Sequence, residues 1–187
     1  MRIFATTVLV AASLALPAAA DDVTDTLQSA IEAYQGGDIK YALEEIVYAQ
    51  QLLNQMKASA LEGFLPDAPE GWTREIDHEQ MAGMGMMGGG TGAAAAYSNG
   101  SDQFKLTIMA DNPMVASMAG IFSNGALLAA QGKLVRVGRE KFIQQDNGQL
   151  MGVIDNRILV QAEGADSAAM LPVLEKIDFK ELGRFGL

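Results

Sequence analysis

The spacing of apolar residues changes once along this chain, at a short proline-rich stretch, and that change decides the fold class. Before residue 65 the apolar side chains recur every three or four positions, as in amphipathic helices. From Trp72 onward they alternate with polar ones in short runs separated by turn-forming residues, as in antiparallel strands. The sequence therefore predicts an α+β protein. It has an N-terminal antiparallel helical hairpin, then an antiparallel β-sheet of about six to seven strands covered by two helices.

Two helices are predicted before the proline-rich stretch. The first covers residues 22–35 and ends at Gly36-Gly37; the second covers residues 38–64, with Asp38 as its N-terminal cap. Such a short connection forces the two helices into an antiparallel pair, which we expect to dock on the domain that follows. The first helix carries apolar residues at a helical spacing, namely Val23, Leu27, Ala30, Ile31 and Tyr34. The second carries one stripe, made of Ile39, Ala42, Leu43, Ile46, Ala49, Gln50, Leu53 and Met56.

Residues 26–56 resemble a single tetratricopeptide-type repeat. The resemblance is carried by small residues where the two helices would touch, namely Ala30, Ala33-Tyr34, Gly37-Asp38, Ala42 and Ala49. The Trp and Leu-Gly of the first helix and the closing Pro of that repeat are missing. A lone repeat cannot bury its faces by stacking, so a peptide-binding solenoid does not follow.

Seven strands are predicted after the proline-rich stretch, in two meanders. The first meander comprises residues 72–76, 93–98 and 103–110, and the second 133–137, 140–145, 150–155 and 158–163. On the third strand, Phe104, Leu106, Ile108 and Ala110 share one face. The turns are marked by Asn99-Gly100, Asp146-Asn147-Gly148 and Asp155-Asn156-Arg157.

Two helices are predicted to cover this sheet. Residues 112–132 carry no charge, and they are expected to form a buried helix rather than a transmembrane span, with a kink at residues 123–125. Its predicted inward residues are Met114, Met118, Ile121, Phe122 and Leu128. The last helix begins at Asp166 or Ser167, and its predicted inward residues are Met170, Leu171, Leu174 and Ile177, followed by Phe179, Leu182 and Phe185 in a docked tail.

Residues 71–187 resemble the PsbP/Mog1-like sheet-and-helix domains. The resemblance is carried by Gly71-Trp72 leading the first strand and by two meanders split by a helix. It implies a binding or assembly accessory rather than a catalyst, as an analogy of fold alone.

The N-terminal residues are typical of a Sec-type export signal. Arg2 supplies the positive end, residues 4–16 the apolar run and residues 17–20 the small-residue cleavage site. We therefore expect a periplasmic protein with no membrane span after cleavage. The predicted organisation is a signal peptide at 1–20, a helical hairpin at 21–64, a linker at 65–71 and an α+β domain at 72–187.

Composition narrows the chemistry further. The chain contains no Cys, which excludes thiolate metal sites and a cysteine nucleophile. Its net charge of -10 repels phosphate backbones, and no basic cluster is expected to offset that charge. The prediction is therefore no nucleic-acid binding.

Residues 78–92 are the most unusual stretch. They hold four of the eleven Met, six of the twenty Gly and the only His, which predicts a loop. Imidazole and thioether groups bind Cu(I), and the stretch resembles the Met-rich, His-containing segments of periplasmic copper-handling proteins. The candidate ligands are His78, Met81, Met84, Met86 and Met87. Three interpretations remain open: metal binding, contact with a partner or apolar ligand, and no specific role.

Catalytic motifs are absent from the sequence. There is no Gly-x-Ser-x-Gly, and the glycines at 88–92 lack the following Lys of a phosphate-binding loop. The sequence thus predicts a periplasmic, non-enzymatic binding or assembly-accessory protein without a cofactor. It would contact a protein partner or an apolar ligand through the hairpin and the loop at 78–92. The alternative is a copper-handling protein that uses His78 and the loop methionines.

Overall fold

The computed structural model describes residues 18–78 and 90–186, and it confirms the α+β class. Two N-terminal helices precede a seven-stranded antiparallel sheet and further helices. The chain divides into two compact units, one ending at Leu53 and the other beginning at Asn54.

The first unit is the helical hairpin, built from α1 (Ala18–Gln35) and α2 (Ile39–Glu62), the end of which belongs to the second unit. Gly37 allows the tight turn between them because its φ of 84° suits only glycine well. Asp38 caps α2 as predicted, since its Oδ1 accepts a hydrogen bond from the Tyr41 backbone N–H at 3.1 Å.

The residues buried in this hairpin are few and mostly small. Among the described residues up to Leu53 they are Val23, Thr26, Ala30, Ala42 and Ala49. The other residues of the predicted apolar stripes are exposed, namely Leu27, Ile31, Tyr34, Ile39, Leu43, Ile46, Gln50 and Leu53, as is Met56 at the start of the second unit. Apolar spacing identifies an apolar face, but it does not identify what covers that face.

The second unit is organised by its sheet. The strands are β1 (Thr73–Ile76), β2 (Thr91–Ser98), β3 (Gln103–Ala110), β4 (Lys133–Val137), β5 (Glu140–Gln144), β6 (Leu150–Ile154) and β7 (Ile158–Glu163). Their order is β1-β2-β3-β7-β6-β5-β4, and every neighbouring pair is antiparallel. The two predicted meanders therefore join where β7 pairs with β3, which leaves β1 and β4 at the edges.

The turns follow the predicted signals. Asn99 Oδ1 accepts from the backbone N–H groups of Ser101 at 2.9 Å and Asp102 at 2.7 Å. Asp155 and Asn156 both have positive φ, at 48° and 57°, as a tight hairpin turn requires.

One face of the sheet packs into the main core. All four predicted residues of β3 lie there, together with Leu61 from the end of α2. The helices after β3 are α3 (Pro113–Ser123), α4 (Gly125–Ala130), α5 (Ser167–Leu174) and the short α6 (Phe179–Leu182). The core residues after β7 are Met170, Val173, Leu174, Ile177 and Leu182, with Leu171, Phe179 and Phe185 packed against them, which confirms the predicted last helix and docked tail.

The predicted buried helix at 112–132 differs from the structure. It is broken into α3 and α4 at Asn124, which caps α4 by accepting from the Ala126 N–H at 3.1 Å. Of its residues, only Asn112, Val115 and Leu128 are buried, Met118, Ile121 and Phe122 are half-buried, and Met114 is 56% exposed. The prediction fails because α3 and α4 make their main sheet contacts with only β6 and β4. Within the described residues no helix has the length and hydropathy needed to cross a membrane.

Candidate functional site

The predicted metal ligands are only partly described by the structure. Met81, Met84, Met86 and Met87 lie outside the described residues. His78 is described, and its side chain is 73% exposed. Its Nδ1 lies 3.8 Å from Glu62 Oε1, so the two form an ion pair when the imidazole is protonated. The described residues bring no group of three or more His, Asp or Glu together in a way that could hold a metal ion.

The hairpin carries a large exposed apolar face. On α1 it contains Leu27, Ile31 and Tyr34, whose exposed fractions run from 42% to 70%. At 100° of rotation per residue these three side chains point within about 60° of one another. On α2 the face contains Ile39, Leu43, Ile46, Val47 and Leu53, which are 46% to 61% exposed and point within about 120° of one another.

The two sets of side chains lie on the same side of the hairpin. On each helix, a rotation about the helix axis leads from the buried residues, Ala30 on α1 and Ala42 with Ala49 on α2, to these exposed side chains, and its direction is the same when each helix is viewed from its N-terminus. Because the two helices run antiparallel, this shared direction brings both sets of side chains to the same side of the hairpin. We call these eight side chains, Leu27, Ile31, Tyr34, Ile39, Leu43, Ile46, Val47 and Leu53, the hairpin face.

Charge is kept away from the hairpin face. Residues 21–53 carry seven carboxylates and one basic residue, Lys40. On the same helical projection all of those on α1 and α2 fall outside the face. Lys40 lies at the border of the face, about 20° from Val47, and forms an ion pair with Glu44 at 3.7 Å. The hairpin is therefore amphipathic, with its apolar face exposed rather than buried.

The hairpin face is large enough to form one side of a protein interface. At about 100 Å² for each of eight side chains, it presents roughly 800 Å², which is what one partner contributes to a standard protein interface. Exposed apolar patches of that extent mark interaction sites on ordinary protein surfaces. The apolar spacing in the sequence identifies all of these residues except Val47, and the structure shows that their side chains are exposed.

Described residues of the second unit line two open clefts. One, of about 470 Å³, is lined by Glu62, Gly63, Phe64, Leu65, Pro66, Asp67, Arg74, Lys176 and Asp178. The other, of about 650 Å³, is lined by Asp77, Ala96, Ser101, Gln103, Phe104, Lys105, Glu163 and Gly164. Each cleft contains one ion pair: Lys105 lies 2.6 Å from Asp77, and Arg74 lies 3.3 Å from Asp67. Neither cleft has the mainly apolar lining of a typical small-molecule site.

A buried tyrosine fixes the wall of the first cleft. The Tyr97 hydroxyl donates to the Pro66 carbonyl at 2.6 Å, and Arg74 Nη1 donates to the Leu65 carbonyl at 2.7 Å. The Tyr97 ring stacks on Phe104 with centroids 5.0 Å apart. Burial, opposed in part by the nearby Arg74 guanidinium, raises the pKa of Tyr97 to about 12 from its ordinary 10.0. This tyrosine is a structural anchor for the chain between α2 and β1.

A second network ties down the C-terminal segment. Asp111 accepts from Lys57 Nζ at 3.0 Å and from Arg157 Nη1 at 3.1 Å. Arg157 Nη2 also donates to the carbonyls of Gly183 and Phe185. Partial burial raises the pKa of Asp111, but the hydrogen bonds and charges of Lys57 and Arg157 outweigh it and lower that pKa below its ordinary value. Every cation here has a structural partner, so the network is a clamp rather than a reactive site.

One charged cluster escaped the sequence analysis. Lys133, Arg136, Arg139 and Lys141 are all exposed and lie along β4, β5 and their connection, whereas no basic cluster was expected. The overall charge of -10 conceals it. The sequence could have revealed this cluster, because its four basic residues come directly after the uncharged residues 112–132.

Comparisons of the chain with protein-family models, with curated proteins and with solved structures found no match.

Proposed function

We propose that this is a periplasmic, non-enzymatic binding or assembly-accessory protein that uses the hairpin face to hold an apolar helix of a partner protein. The observation that carries the proposal is the exposure of eight apolar side chains on one uncharged side of the hairpin. Burying such a surface against a partner releases its hydration water and is favourable in proportion to area. The periplasmic location rests on the export signal in the sequence.

The chemistry of the partner follows from the hairpin. Two antiparallel helices offer a groove into which an amphipathic helix lays its apolar side. The surrounding carboxylates, Asp25, Glu32, Glu44 and Glu45 among them, favour a partner helix with basic residues beside its apolar stripe. A small apolar ligand suits this surface less well, because such ligands need a concave pocket that covers most of their surface.

The test compares two double variants of α2. Leu43→Ser with Ile46→Ser removes two side chains from the hairpin face, which are 57% and 49% exposed. Tyr41→Ser with Tyr48→Ser removes two apolar side chains of similar exposure, 45% and 53%, from the other side of α2. Both variants should fold, because all four side chains are exposed.

Cross-linking in periplasmic extract would identify partners, and calorimetry with each purified partner would measure Kd. We expect Leu43→Ser/Ile46→Ser to weaken binding about a hundredfold, from roughly 3 kcal/mol of lost apolar burial. The Tyr41→Ser/Tyr48→Ser control should bind like the unaltered protein. Equal loss in both variants, or self-association of the purified protein with no other partner, would contradict the proposal.

A copper-handling role is the second candidate, and the exposed imidazole of His78 favours it. Its described ion-pair partner is the Glu62 carboxylate at 3.8 Å, which leaves it accessible to an added ion. Anaerobic titration with Cu(I) against a competing chelator measures this role. Binding that is abolished by Met84→Leu/Met86→Leu/Met87→Leu would require the thioethers, since Leu keeps the volume of Met but has no sulfur. Absence of binding by the unaltered protein would exclude this role.

A further inference from the structure

Four basic side chains lie together at one edge of the sheet. Lys133 and Arg136 belong to β4, the edge strand, Lys141 belongs to β5, and Arg139 lies in the connection between the two strands. The strand register places Arg136 directly opposite Lys141. All four residues are exposed.

This cluster is not neutralised within the described part of the chain. None of its four members makes an ion pair with a described residue. Among the other described Lys and Arg residues, Lys40, Lys57, Arg74, Lys105, Arg157 and Arg184 each lie within 4.0 Å of a carboxylate. Lys176 and Lys180 make no ion pair with a described residue, but they do not lie opposite another cation in the sheet. Like charges directly opposite one another in a sheet are destabilising, so Arg136 and Lys141 oppose each other at some cost to stability. An external anion would relieve that repulsion.

Uncharged apolar surface lies beside the cluster. Residues 112–132 contain no charge, and most of α3 and α4 is exposed or half-buried. Leu127 of α4 and Leu134 of β4 are each 50% exposed, and α4 packs next to β4. Since side chains alternate along a strand, Leu134 and Arg136 lie on the same face of β4. Apolar and cationic groups are therefore side by side.

We propose that this surface, formed by α3, α4 and the β4–β5 edge, binds the surface of an anionic phospholipid bilayer. Arg136, Arg139 and Lys141 would contact lipid phosphates while Leu127, Leu134 and Met114 enter the interfacial region. Lys133 lies at the same edge but on the opposite face of β4 from Arg136. Charge complementarity favours an anionic bilayer as the occupant, because this cluster concentrates positive charge on one surface of a protein whose net charge is -10. The uncharged helices distinguish it from a nucleic-acid surface, which would need polar and charged groups throughout. The proposal is independent of the hairpin face.

The strength expected of such a surface is modest and depends on salt. Each basic residue near an anionic membrane is worth about a fivefold change in partitioning, and the attraction falls off within about 10 Å at 0.1 M salt. Arg136→Gln with Lys141→Gln should therefore reduce vesicle binding roughly twentyfold. Lys176→Gln with Lys180→Gln makes the same change in net charge at two other exposed lysines and should have little effect.

Co-sedimentation of the purified mature protein with vesicles tests the proposal. Binding is expected to phosphatidylglycerol-containing vesicles at low salt, but not to pure phosphatidylcholine vesicles, and it should be lost in Arg136→Gln/Lys141→Gln only. Leu127→Gln/Leu134→Gln should weaken binding while leaving its salt dependence unchanged. Three results would overturn the proposal: no binding to anionic vesicles, equal loss in the lysine control, or unchanged binding in Leu127→Gln/Leu134→Gln. Equally tight binding to soluble polyglutamate would also overturn it, because the ligand would then be any polyanion.

Tryptophan fluorescence tests which surface contacts the bilayer, whatever the affinity. Leu127→Trp should give a blue-shifted emission that brominated lipids quench. Trp72, the natural tryptophan, packs on Phe104 with centroids 5.4 Å apart and should not be quenched. Quenching of both, or of neither, would contradict docking through α4.

Discussion

Replacing Tyr97 by Phe tests the hydrogen bond that anchors the chain between α2 and β1. The hydroxyl donates to the Pro66 carbonyl at 2.6 Å, and the residue is fully buried. Phe keeps the ring that stacks on Phe104, so packing should survive. Arg74 Nη1 also donates to the Pro66 carbonyl at 3.2 Å, so that oxygen is not left without a donor. We therefore expect a loss of about 1 kcal/mol, the net value of one hydrogen bond, rather than the roughly 3 kcal/mol of an unpaired buried group.

Urea denaturation of the two proteins at neutral pH measures this difference, with an unchanged m value as the control for a common unfolded state. Titration to alkaline pH adds a second, independent check. The folded pKa of Tyr97 is raised to about 12 from 10.0. The stability it contributes is therefore complete below pH 10 and is lost as pH rises toward 12. The advantage of the unaltered protein over Tyr97→Phe should shrink across that interval. A constant difference, or a loss near 3 kcal/mol at neutral pH, would refute the reasoning.

Three further predictions concern stability. Asp111→Asn should lower the free energy of unfolding by less than about 1 kcal/mol at neutral pH, because the Asp111 network with Lys57 and Arg157 is partly exposed. The folded pKa of Asp111 is lowered, so the difference between the two proteins should vanish as pH falls through that pKa, which denaturation in acid measures. Gly152→Ala places a Cβ 2.7 Å from the Phe142 ring and should lower the free energy of unfolding by about 1–3 kcal/mol. The control Gly120→Ala has open space around the new Cβ and should leave the Tm unchanged or raise it in thermal melts. Ala49→Leu overfills a position that is 1% exposed and should lower helicity and Tm, and an unchanged Tm would show that α2 is loosely packed there.

Local features of this fold could be read directly from the sequence. The strand spans differ from the predicted ones by at most two residues, because alternation and turn residues such as Asn99-Gly100 act over a few positions. The cap at Asp38 was also predicted, and a kink was predicted at residues 123–125, where the structure has a break at Asn124, since each depends on one side chain and its neighbouring backbone. The hairpin and the helices after the sheet follow from the same kind of local pattern.

The candidate sites could be predicted only in part. The spacing of Leu43 and Ile46 showed an apolar face on α2, but only the structure shows that this face is exposed. His78 was identified by residue type, and its described surroundings add one carboxylate, Glu62. The basic edge was missed because composition averages Arg136 and Lys141 with the many carboxylates elsewhere.

The sequence by itself determined the helices, the strands, the turns and the change from helices to strands at the proline-rich stretch. Each of these features depends on residues close together in the chain. Only the tertiary structure decided the pairing of β3 with β7, the meeting of Asp111 with Lys57 and Arg157, and which apolar faces stay exposed. The physical reason is that burial and ion pairing depend on groups far apart in sequence. The same apolar spacing is therefore compatible with a core or with a binding surface.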